Sequence, residues 1–428
     1  MTGPVAWPRS LAPLRHRRYA ALWVGAFASN VGTWMETVGV GILVTASTRQ
    51  AGWAGLVAAA GFLPNALTGP LGGALADRLP RRRILLSTTT VQTILAGTLA
   101  GLAVAGAAQP WAVTLIVFTS GCANALGLPS YQALLPDLVP REDLTGAVAL
   151  GSAQWNLGRV IGPALAGVAI AAGGYALAFA INTVSFLAVI AAIAPLRLPP
   201  PHPTHGETIR RSIVSGARFA WEDRGIRAVI VYLSCNSLLA APFIALVPAV
   251  ALEVFHHGAS GTALLVTAQG LGAVLMALLL GSLAHRYGQR RTVLANLALL
   301  PVALVAYAAA PTLELGALAI FAVGAAYLGC LSSFMTIAQL RAPPQLRGRV
   351  LSALLVLLGL LYPLGSVVQG ALADTFGLRA VTAAAALLLA AVIVAIRTLR
   401  RGFDRELDEV APRPAPLAMV GAVAPGGA

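Results

Sequence analysis

Long apolar runs follow one another along almost the whole chain, and short polar, Gly-rich or Pro-rich segments separate them. A membrane-spanning helix needs about 20 predominantly apolar residues. The pattern therefore predicts an all-α membrane protein with twelve transmembrane helices in two pseudo-symmetric six-helix bundles. The helices are expected over residues 19–45, 53–76, 84–106, 111–135, 144–172, 175–196, 227–252, 259–284, 292–311, 313–340, 347–373 and 377–397.

The composition agrees with a membrane location for most of the chain. Only 10% of the residues are charged and the mean hydropathy is +0.80, whereas soluble domains carry about 25% charged residues. All 29 basic residues are Arg. Because the chain has no Lys, it lacks both the Lys of a nucleotide-binding P-loop and a Schiff-base Lys. The chain is therefore not its own ATPase.

The net charge of +14 raises the question of a nucleic-acid partner, and the positions of the Arg residues answer it. If the N-terminus lies in the cytoplasm and the helices alternate, 26 of the 29 Arg residues fall on the cytoplasmic side. Only Arg49 and Arg379 fall on the other side, and Arg159 lies within a span. This asymmetry is the positive-inside pattern. It predicts cytoplasmic termini and no nucleic-acid partner.

A Pro-rich segment near the middle of the chain divides it into two halves. We expect a cytoplasmic N-terminus at 1–18, an N-terminal six-helix bundle at 19–196, and a cytoplasmic linker at 197–226. The linker combines a Pro-rich stretch with apolar and Arg residues at helical spacing, which predicts an amphipathic helix on the membrane surface. A C-terminal bundle at 227–399 and a disordered tail at 400–428 complete the predicted organisation.

The chain shows no pattern of catalytic or metal-ligating residues. Cys122, Cys235 and Cys330 all fall in predicted spans, and their spacing fits neither a disulfide framework nor a metal site. There is no HExxH motif, and the six His residues are scattered. We therefore expect no enzyme activity, no metal and no cofactor. A membrane-embedded enzyme and a non-transporting membrane scaffold remain as alternatives.

The two halves contain related sequences. Residues 73–86 read GALADRLPRRRILL and residues 281–294 read GSLAHRYGQRRTVL, and both segments follow an even-numbered predicted helix. Further along the two halves, Gly162 corresponds to Gly365 and Gly167 corresponds to Gly370. A duplicated six-helix unit is typical of transporters whose binding site lies between the halves near the bilayer midplane.

The repeated loop carries a resemblance to a known family. Gly73-x-Leu75-Ala76-Asp77-Arg78-x2-Arg81-Arg82-Arg83 resembles the signature between helices two and three of the major facilitator superfamily, and residues 281–291 resemble its second copy. Pro80 and His285 depart from the usual Gly and Asp. Other segments resemble the bacterial efflux branch that contains the enterobactin exporter: 29–35, 162–167 and 216–219.

The resemblance implies that both loops act as conformational switches. Asp77 can accept hydrogen bonds from a neighbouring helix N-terminus or pair with Arg81. The alternative is that the loops contribute only to topology and packing. The residues assigned to the switch are Gly73, Asp77, Arg78, Arg81, Arg82, Gly281, Arg286 and Arg290.

Two ionisable side chains, Glu36 and Arg159, fall well inside predicted spans. Charges there are costly and usually functional. Glu36 is expected to be a proton-binding carboxylate, unless it is a peripheral acid in contact with water. Arg159 is expected to bind an anionic group of a substrate, to serve as counter-ion to Glu36, or to contact backbone carbonyls.

Further residues are assigned to the transport path and to helix packing. In the superfamily, helices one, four, seven and ten line the cavity, and the fifth helix of exporters carries a Gly-rich motif. Polar and aromatic residues at such positions are expected either to contact the substrate or to form inter-helix hydrogen bonds: Asn30, Trp34, Asn124, Gln154, Asn156, Asn236 and Tyr327. The residues expected to permit close helix packing are Gly158, Gly162, Pro163 and Gly167.

The sequence thus predicts a monomeric secondary transporter in the lipid bilayer of a bacterial plasma membrane. It is expected to export a small apolar or amphiphilic molecule, such as a drug, siderophore or secondary metabolite, by antiport with protons. An importer or uniporter of the same fold is the main alternative. The sequence does not identify the substrate.

Overall fold

A computed structural model describes residues 11–196, 217–400 and 402–408. All regular secondary structure in these ranges is helical, in agreement with the predicted all-α class. The principal helices are α1 (Arg17–Thr48), α2 (Ala51–Leu67), α3 (Gly69–Arg78), α4 (Arg81–Val104), α5 (Pro110–Leu138), α6 (Leu144–Ile193), α7 (Arg224–Cys235), α8 (Phe243–Ala249), α9 (Ala259–Tyr287), α10 (Gln289–Ala309), α11 (Leu313–Arg341), α12 (Arg347–Phe376) and α13 (Leu378–Leu399).

The described part of the chain contains nine helical segments that are long and apolar enough to cross a membrane. The count rises to ten if α2 and α3, which meet at an angle of 44°, form one span. The longest segment contains α6, whose helix is broken at Gly173 and Gly174, where the backbone leaves the helical region. This break lies at the Gly pair that separates two of the predicted runs.

Two predicted runs contain irregularities that the apolar pattern does not show. The run 53–76 bends between α2 and α3, where Pro64 lies inside α2 and Pro70 is in the first turn of α3. The run 227–252 contains π-helical turns at Asn236–Ala240 and Val250–Val254. Pro residues remove a backbone donor, and π-turns alter the hydrogen-bond register, so both bend a helix without ending its apolar character.

The helix ends define two ends of the molecule. At one end, termed the basic end because Arg17, Arg78 and Arg347 lie there, α1 and α12 begin and α3 ends. At the opposite end, α2 begins and α12 ends. Helices α1 and α6 pack together, α2 packs along α12, and α6 packs along α9. The last two contacts join residues before the linker to residues after it. A Cβ at Gly55 of α2 would overlap the Ser366 carbonyl oxygen of α12, so only Gly permits this approach.

Part of the predicted C-terminal tail is ordered. Phe403–Leu407 form a 3₁₀ turn against the basic end, and both Phe403 and Leu407 are buried. Asp404 accepts hydrogen bonds from Tyr232 (2.7 Å) and Arg397 (2.8 Å). Residues 402–408, which fall in the segment predicted to be disordered, therefore pack against the bundle in this structure, because their charged side chains pair with it. Residues 1–10, 197–216, 401 and 409–428 lie outside the described ranges, and they include most of the predicted amphipathic linker.

Candidate functional site: a central cavity between the halves

A cavity of about 1570 Å³ lies between the two halves. Its walls come from α1, α2, α3, α5 and α6 on one side and from α8, α9 and α12 on the other. The cavity extends to the basic end, where the exposed residues Asp77, Arg78 and Gly348 line its mouth. A ligand bound in it would touch both halves of the chain.

Glu36 lies in the wall of this cavity and is half-buried. Asn182 Nδ2, on the second part of α6, donates a hydrogen bond of 2.6 Å to Glu36 Oε2. The Ser185 hydroxyl lies 3.0 Å from Asn182 Oδ1 and orients the amide. Glu36 is therefore held by a neutral donor and has no cationic partner among the described residues.

Arg159 lies in the same cavity but does not pair with Glu36 in this structure. Its guanidinium carbon is 5.8 Å from the centroid of the Trp34 ring, a cation–π contact. Tyr327 and Tyr362 lie within electrostatic range of it. Within the described ranges no carboxylate forms an ion pair with Arg159.

The predicted path residues divide into two groups. Trp34 and Asn124 line the cavity together with Glu36 and Arg159. The other five are absent from its lining. Asn30 packs against Gly158, whereas Gln154 and Asn236 are buried elsewhere between helices. Asn156 donates to the Ser152 carbonyl on its own helix, and Tyr327 packs edge-on against Phe243. Sequence alone could not distinguish these groups, because it does not show which side of a helix faces the cavity.

The cavity also contains residues that the sequence analysis missed. Trp155 contacts Trp34 edge-on with a centroid distance of 5.8 Å, and Phe62 contacts Tyr362 at 5.0 Å. Gln269 lines the cavity from α9. Aromatic and amide residues within apolar runs were the available signal, but such residues also occur in ordinary helix packing.

Three of the cavity's polar groups are hydrogen-bond donors without an acceptor. Trp34 Nε1 and Gln269 Nε2 are buried and have no partner within the described part of the chain. The Arg159 guanidinium contacts the Trp34 ring but likewise has no hydrogen-bond acceptor among the described residues. Buried donors normally have partners, so this set is suited to a ligand that brings acceptor oxygens.

The first switch loop makes contacts other than the predicted pair of Asp77 with Arg81. Arg81 instead donates to Asp137 (2.8 Å) and to the Ala133 carbonyl (2.9 Å) at the end of α5. Arg82 donates to the Ala194 carbonyl at 2.5 Å. Asp77 has no hydrogen bond or ion pair with any described residue and lines the mouth of the cavity beside Gly73 and Arg78.

The second loop copy is more exposed than the first. Gly281 and Arg286 are exposed, and Arg286 lies 5.4 Å from the ring of Tyr287. Arg290 forms an ion pair of 3.0 Å with Asp408 of the ordered tail turn. This copy therefore contacts the tail instead of the cavity mouth.

The Gly-rich segment of α6 lies against α1 and α9. A Cβ at Gly158 would lie 3.1 Å from Asn30 Cβ, one at Gly162 would lie 2.9 Å from the Val31 carbonyl oxygen, and one at Gly167 would lie 2.9 Å from Ala263 Cβ. Pro163 is buried between them. These small residues bring α1 close to α6 and so place Trp34 beside Arg159.

An ionic cluster fixes the start of α1 at the basic end. The buried Asp143 accepts hydrogen bonds from His16 Nε2 (2.7 Å) and Arg15 (3.0 Å). The bond from His16 and the Arg15 cation lower the pKa of the Asp143 carboxyl. The cluster joins the N-terminal segment to the beginning of α6.

At the opposite end, the two halves are in direct contact. Arg49 and Glu253 form an exposed ion pair of 3.4 Å. Asp374 of α12 accepts hydrogen bonds from the backbone N–H groups of Ala51 (2.6 Å) and Gly52 (3.0 Å) at the start of α2. The cavity thus reaches the basic end, while contacts between the halves close the other.

Comparison with known proteins identifies the family. Residues 8–422 match the transmembrane secretion effector family, which is part of the major facilitator superfamily. The chain belongs to this family. Because the match covers nearly the whole sequence, the resemblance inferred from the 73–83 loop is confirmed. The family and its named relatives are transporters, and the chain is a multi-pass membrane protein of this kind.

Several curated relatives are similar over most of their length. The multidrug efflux pump Tap of Mycolicibacterium fortuitum is 30% identical over 410 residues, which are 91% of this chain and 96% of that protein. The enterobactin exporter EntS of Citrobacter koseri is 27% identical over 81% of this chain and 83% of its own length. Macrolide efflux protein A of Streptococcus pyogenes is 21% identical over 85% and 91%, respectively.

Solved structures with low sequence identity share the fold. A bacterial homologue of the human lysosomal transporter Spinster, in an inward-facing and unoccupied conformation, aligns with a TM-score of 0.72 at 16% identity. The alignment covers 95% of this chain and all of that chain. The nucleoside transporter NupG aligns with a TM-score of 0.67 at 15% identity, covering 90% and 99%.

Proposed function

We propose that this protein is a secondary active exporter of the bacterial inner membrane. It moves a small apolar or amphiphilic molecule outward by alternating access, as a monomer, in exchange for protons. Both termini and the 197–226 linker lie in the cytoplasm, so the basic end is the cytoplasmic end. The relatives named as multidrug, macrolide and enterobactin exporters support the outward direction.

A twelve-span architecture follows if three features of the helices are taken together. The two parts of α6 on either side of Gly173–Gly174 form two spans, and the bent pair α2–α3 forms one. Helix α1, with 32 residues, is long enough to cross the bilayer as well. With the eight remaining apolar segments the count reaches twelve, six on each side of the linker.

The cavity is the observation that carries the proposal. It is lined by both halves, reaches one end of the molecule, and is closed at the other by contacts between the halves. A transporter that alternates between two access states needs a site of this kind, because movement of one half against the other changes its exposure.

Glu36 is proposed as the group that couples transport to protons. It is the one carboxyl that lines the cavity away from its mouth within the described ranges, since the other acidic lining residue is Asp77. Its partner, Asn182, is neutral and can donate to either protonation state of the carboxyl. Burial disfavours a charged carboxylate without a cation, so proton uptake and release can follow changes in the access of water.

Arg159, Trp34 and Gln269 are proposed to bind the polar part of the substrate. All three present donors, and aromatic rings lie around them. The matching substrate is an amphiphile with an apolar or aromatic body and several acceptor oxygens. Arg159→Gln should therefore weaken binding of such molecules more than binding of purely apolar ones.

Transport in inverted membrane vesicles tests the function and its direction. Export predicts that a proton gradient, acidic inside the vesicle, drives accumulation of an amphiphilic dye with several acceptor oxygens, such as doxorubicin, beyond the passive accumulation in vesicles that lack the protein. Glu36→Gln should abolish accumulation against a gradient yet retain exchange of labelled for unlabelled dye. Glu314→Gln, which changes an acid outside the cavity, is the matched control and should transport normally. Movement of dyes only in the opposite direction would favour the importer alternative.

A further inference from the structure

A carboxylate at the opposite end of the molecule joins the two halves. Asp374 lies two residues before the end of α12, and its two carboxylate oxygens accept hydrogen bonds from the first two N–H groups of α2, those of Ala51 (2.6 Å) and Gly52 (3.0 Å). The preceding residue, Gln50, provides no side-chain cap. Asp374 thus supplies the helix cap that α2 lacks, and it does so from the other half of the chain.

The sequence around Asp374 repeats that of the first switch loop. Residues 370–374 read Gly-Ala-Leu-Ala-Asp, as do residues 73–77. Both copies stand at the C-terminal end of a helix, α12 for Asp374 and α3 for Asp77. Because α2–α3 and α12 run in opposite directions along each other, the two copies lie at opposite ends of the molecule.

The two ends differ in whether the carboxylate has a partner. At the basic end, Asp77 has no hydrogen bond or ion pair among the described residues and lines the cavity mouth. Gly348, in the first turn of α12, lines the same mouth. Leu346, which precedes α12, provides no side-chain cap. Each Asp therefore lies at the end of the molecule where the other helix begins without a side-chain cap from its own preceding residue. Among the described residues only Asp374 contacts that helix, whereas Asp77 and Gly348 share the lining of the cavity mouth.

We propose that Asp374 is the positioning residue that holds the opposite end of the molecule, the outer end, closed, and that it is the counterpart there of the Asp77 switch that the family resemblance implies at the basic end. While the cavity faces the cytoplasm, Asp374 caps α2. When the halves rock along the α2–α12 contact, this cap opens and Asp77 caps α12 at the cytoplasmic end. A helix N-terminus attracts a carboxylate through its free N–H groups and its dipole, so each cap stabilises one access state. The proposal rests on the alternating-access function given above.

Spin-label distances in the full-length protein in lipid nanodiscs test the proposal without a substrate. In a background lacking Cys122, Cys235 and Cys330, one label pair at Ala105 and Pro311 reports the outer end. A second pair at Arg141 and Gln345 reports the basic end. All four label sites are exposed. Electron–electron double resonance then gives the populations with the outer end open and closed.

Loss of the Asp374 cap should favour the state in which the outer end is open. We expect Asp374→Ala to raise the ratio of outer-open to outer-closed molecules about fivefold, the equivalent of about 1 kcal/mol for a helix cap. Asp374→Glu should restore part of the wild-type ratio. Asp77→Ala should shift the ratio in the reverse direction, which a merely structural role for Asp374 would not require.

Two further variants separate the cap from general damage to this end. A Cβ at Gly52 would lie 2.7 Å from Asp374 Oδ2, so Gly52→Ala should displace the carboxylate and reproduce the shift without changing any charge. Glu253→Gln removes the ion pair with Arg49, which also joins the halves there. Because that pair is exposed, with side-chain exposures of 36% and 69%, its loss should change the ratio less than about twofold.

The outcomes distinguish this inference from the proposed function. The inference is overturned if Asp374→Ala and Gly52→Ala leave the ratio unchanged in a protein whose ends do alternate. It is also overturned if Asp374 and Asp77 variants shift the ratio in the same direction. If the ends fail to alternate in every variant and with every transported dye, alternating access itself is contradicted.

Discussion

The buried ion pair between Asp223 and Arg341 gives a quantitative test of how the C-terminal half is held together. Arg341 Nε and Nη2 donate to the two oxygens of Asp223 at 2.7 and 3.0 Å, and the side chains are only 6% and 10% exposed. Asp223 Oδ1 also accepts the Ile226 N–H (2.8 Å) and so caps α7. Asp223→Ala removes both interactions and leaves Arg341 buried without its carboxylate.

The expected loss is large compared with that of a surface pair. Removing one partner of a buried ion pair costs about 3 kcal/mol or more, and losing a helix cap costs about 1 kcal/mol. We therefore expect Asp223→Ala to lower the free energy of unfolding by about 4 kcal/mol. The preceding residue provides the control, because Glu222 pairs with Arg218 on an exposed helix surface. Glu222→Ala should leave the free energy of unfolding nearly unchanged, because both side chains of this pair are exposed to water.

Unfolding by sodium dodecyl sulfate in mixed micelles measures these differences. The double variant Asp223→Ala with Arg341→Met removes the unpaired charge and should be about 2 kcal/mol more stable than Asp223→Ala alone. Some loss remains, since Arg341 also donates to the Glu406 carbonyl (3.2 Å). A cost below about 1 kcal/mol for Asp223→Ala, or a double variant no more stable than the single one, would refute the reasoning.

Three other predictions concern the α1–α6 contact, the N-terminal cluster and the switch loop. Gly162→Ala places a Cβ 2.5 Å from Trp34 Cβ and should cost about 1–3 kcal/mol in the same unfolding assay. At Gly151 an added Cβ would have no neighbouring atom within 4 Å, so Gly151→Ala should not lower the free energy of unfolding. Asp143→Asn should lower the unfolding temperature at pH 7. Because the pKa of Asp143 is lowered in the folded state, the ionised carboxylate stabilises the wild-type protein above about pH 4. The difference in unfolding temperature between wild type and variant should therefore shrink as the pH falls below about 4. Asp77→Asn should impair dye transport while the protein remains folded in the membrane. Dye transport at the wild-type rate by this variant would indicate that Asp77 contributes only to loop packing.

The apolar pattern predicts most helices of the fold because each run must satisfy its own backbone hydrogen bonds within the bilayer. It located even the break at Gly173–Gly174, where only Gly accommodates the backbone with φ of 70° at the second position. It missed the bend between α2 and α3 and the π-turns of the seventh run. These irregularities arise from Pro positions and helix register, and neither changes the number of apolar residues.

The candidate site was predictable in part. Glu36 and Arg159 stood out because charged residues inside spans are rare, and both line the cavity. Their pairing was not predictable, since depth in the membrane does not fix the side of the helix that a residue occupies. Asn182 holds Glu36 instead, and Trp155, next to two predicted path residues, faces the cavity in their place. The tail turn at 402–408 also depends on contacts with distant residues, which local composition does not show.

Proton movement in proteoliposomes is the most direct test of the central claim that this cavity exports a substrate in exchange for protons through Glu36. A gradient of a transported dye is imposed across the membrane, and an internal pH-sensitive dye records protons moving the other way. We predict that the wild-type protein produces this counter-movement and that Glu36→Gln retains downhill dye exchange without it. Undiminished proton movement in Glu36→Gln would contradict the account and favour import or uniport by the same fold.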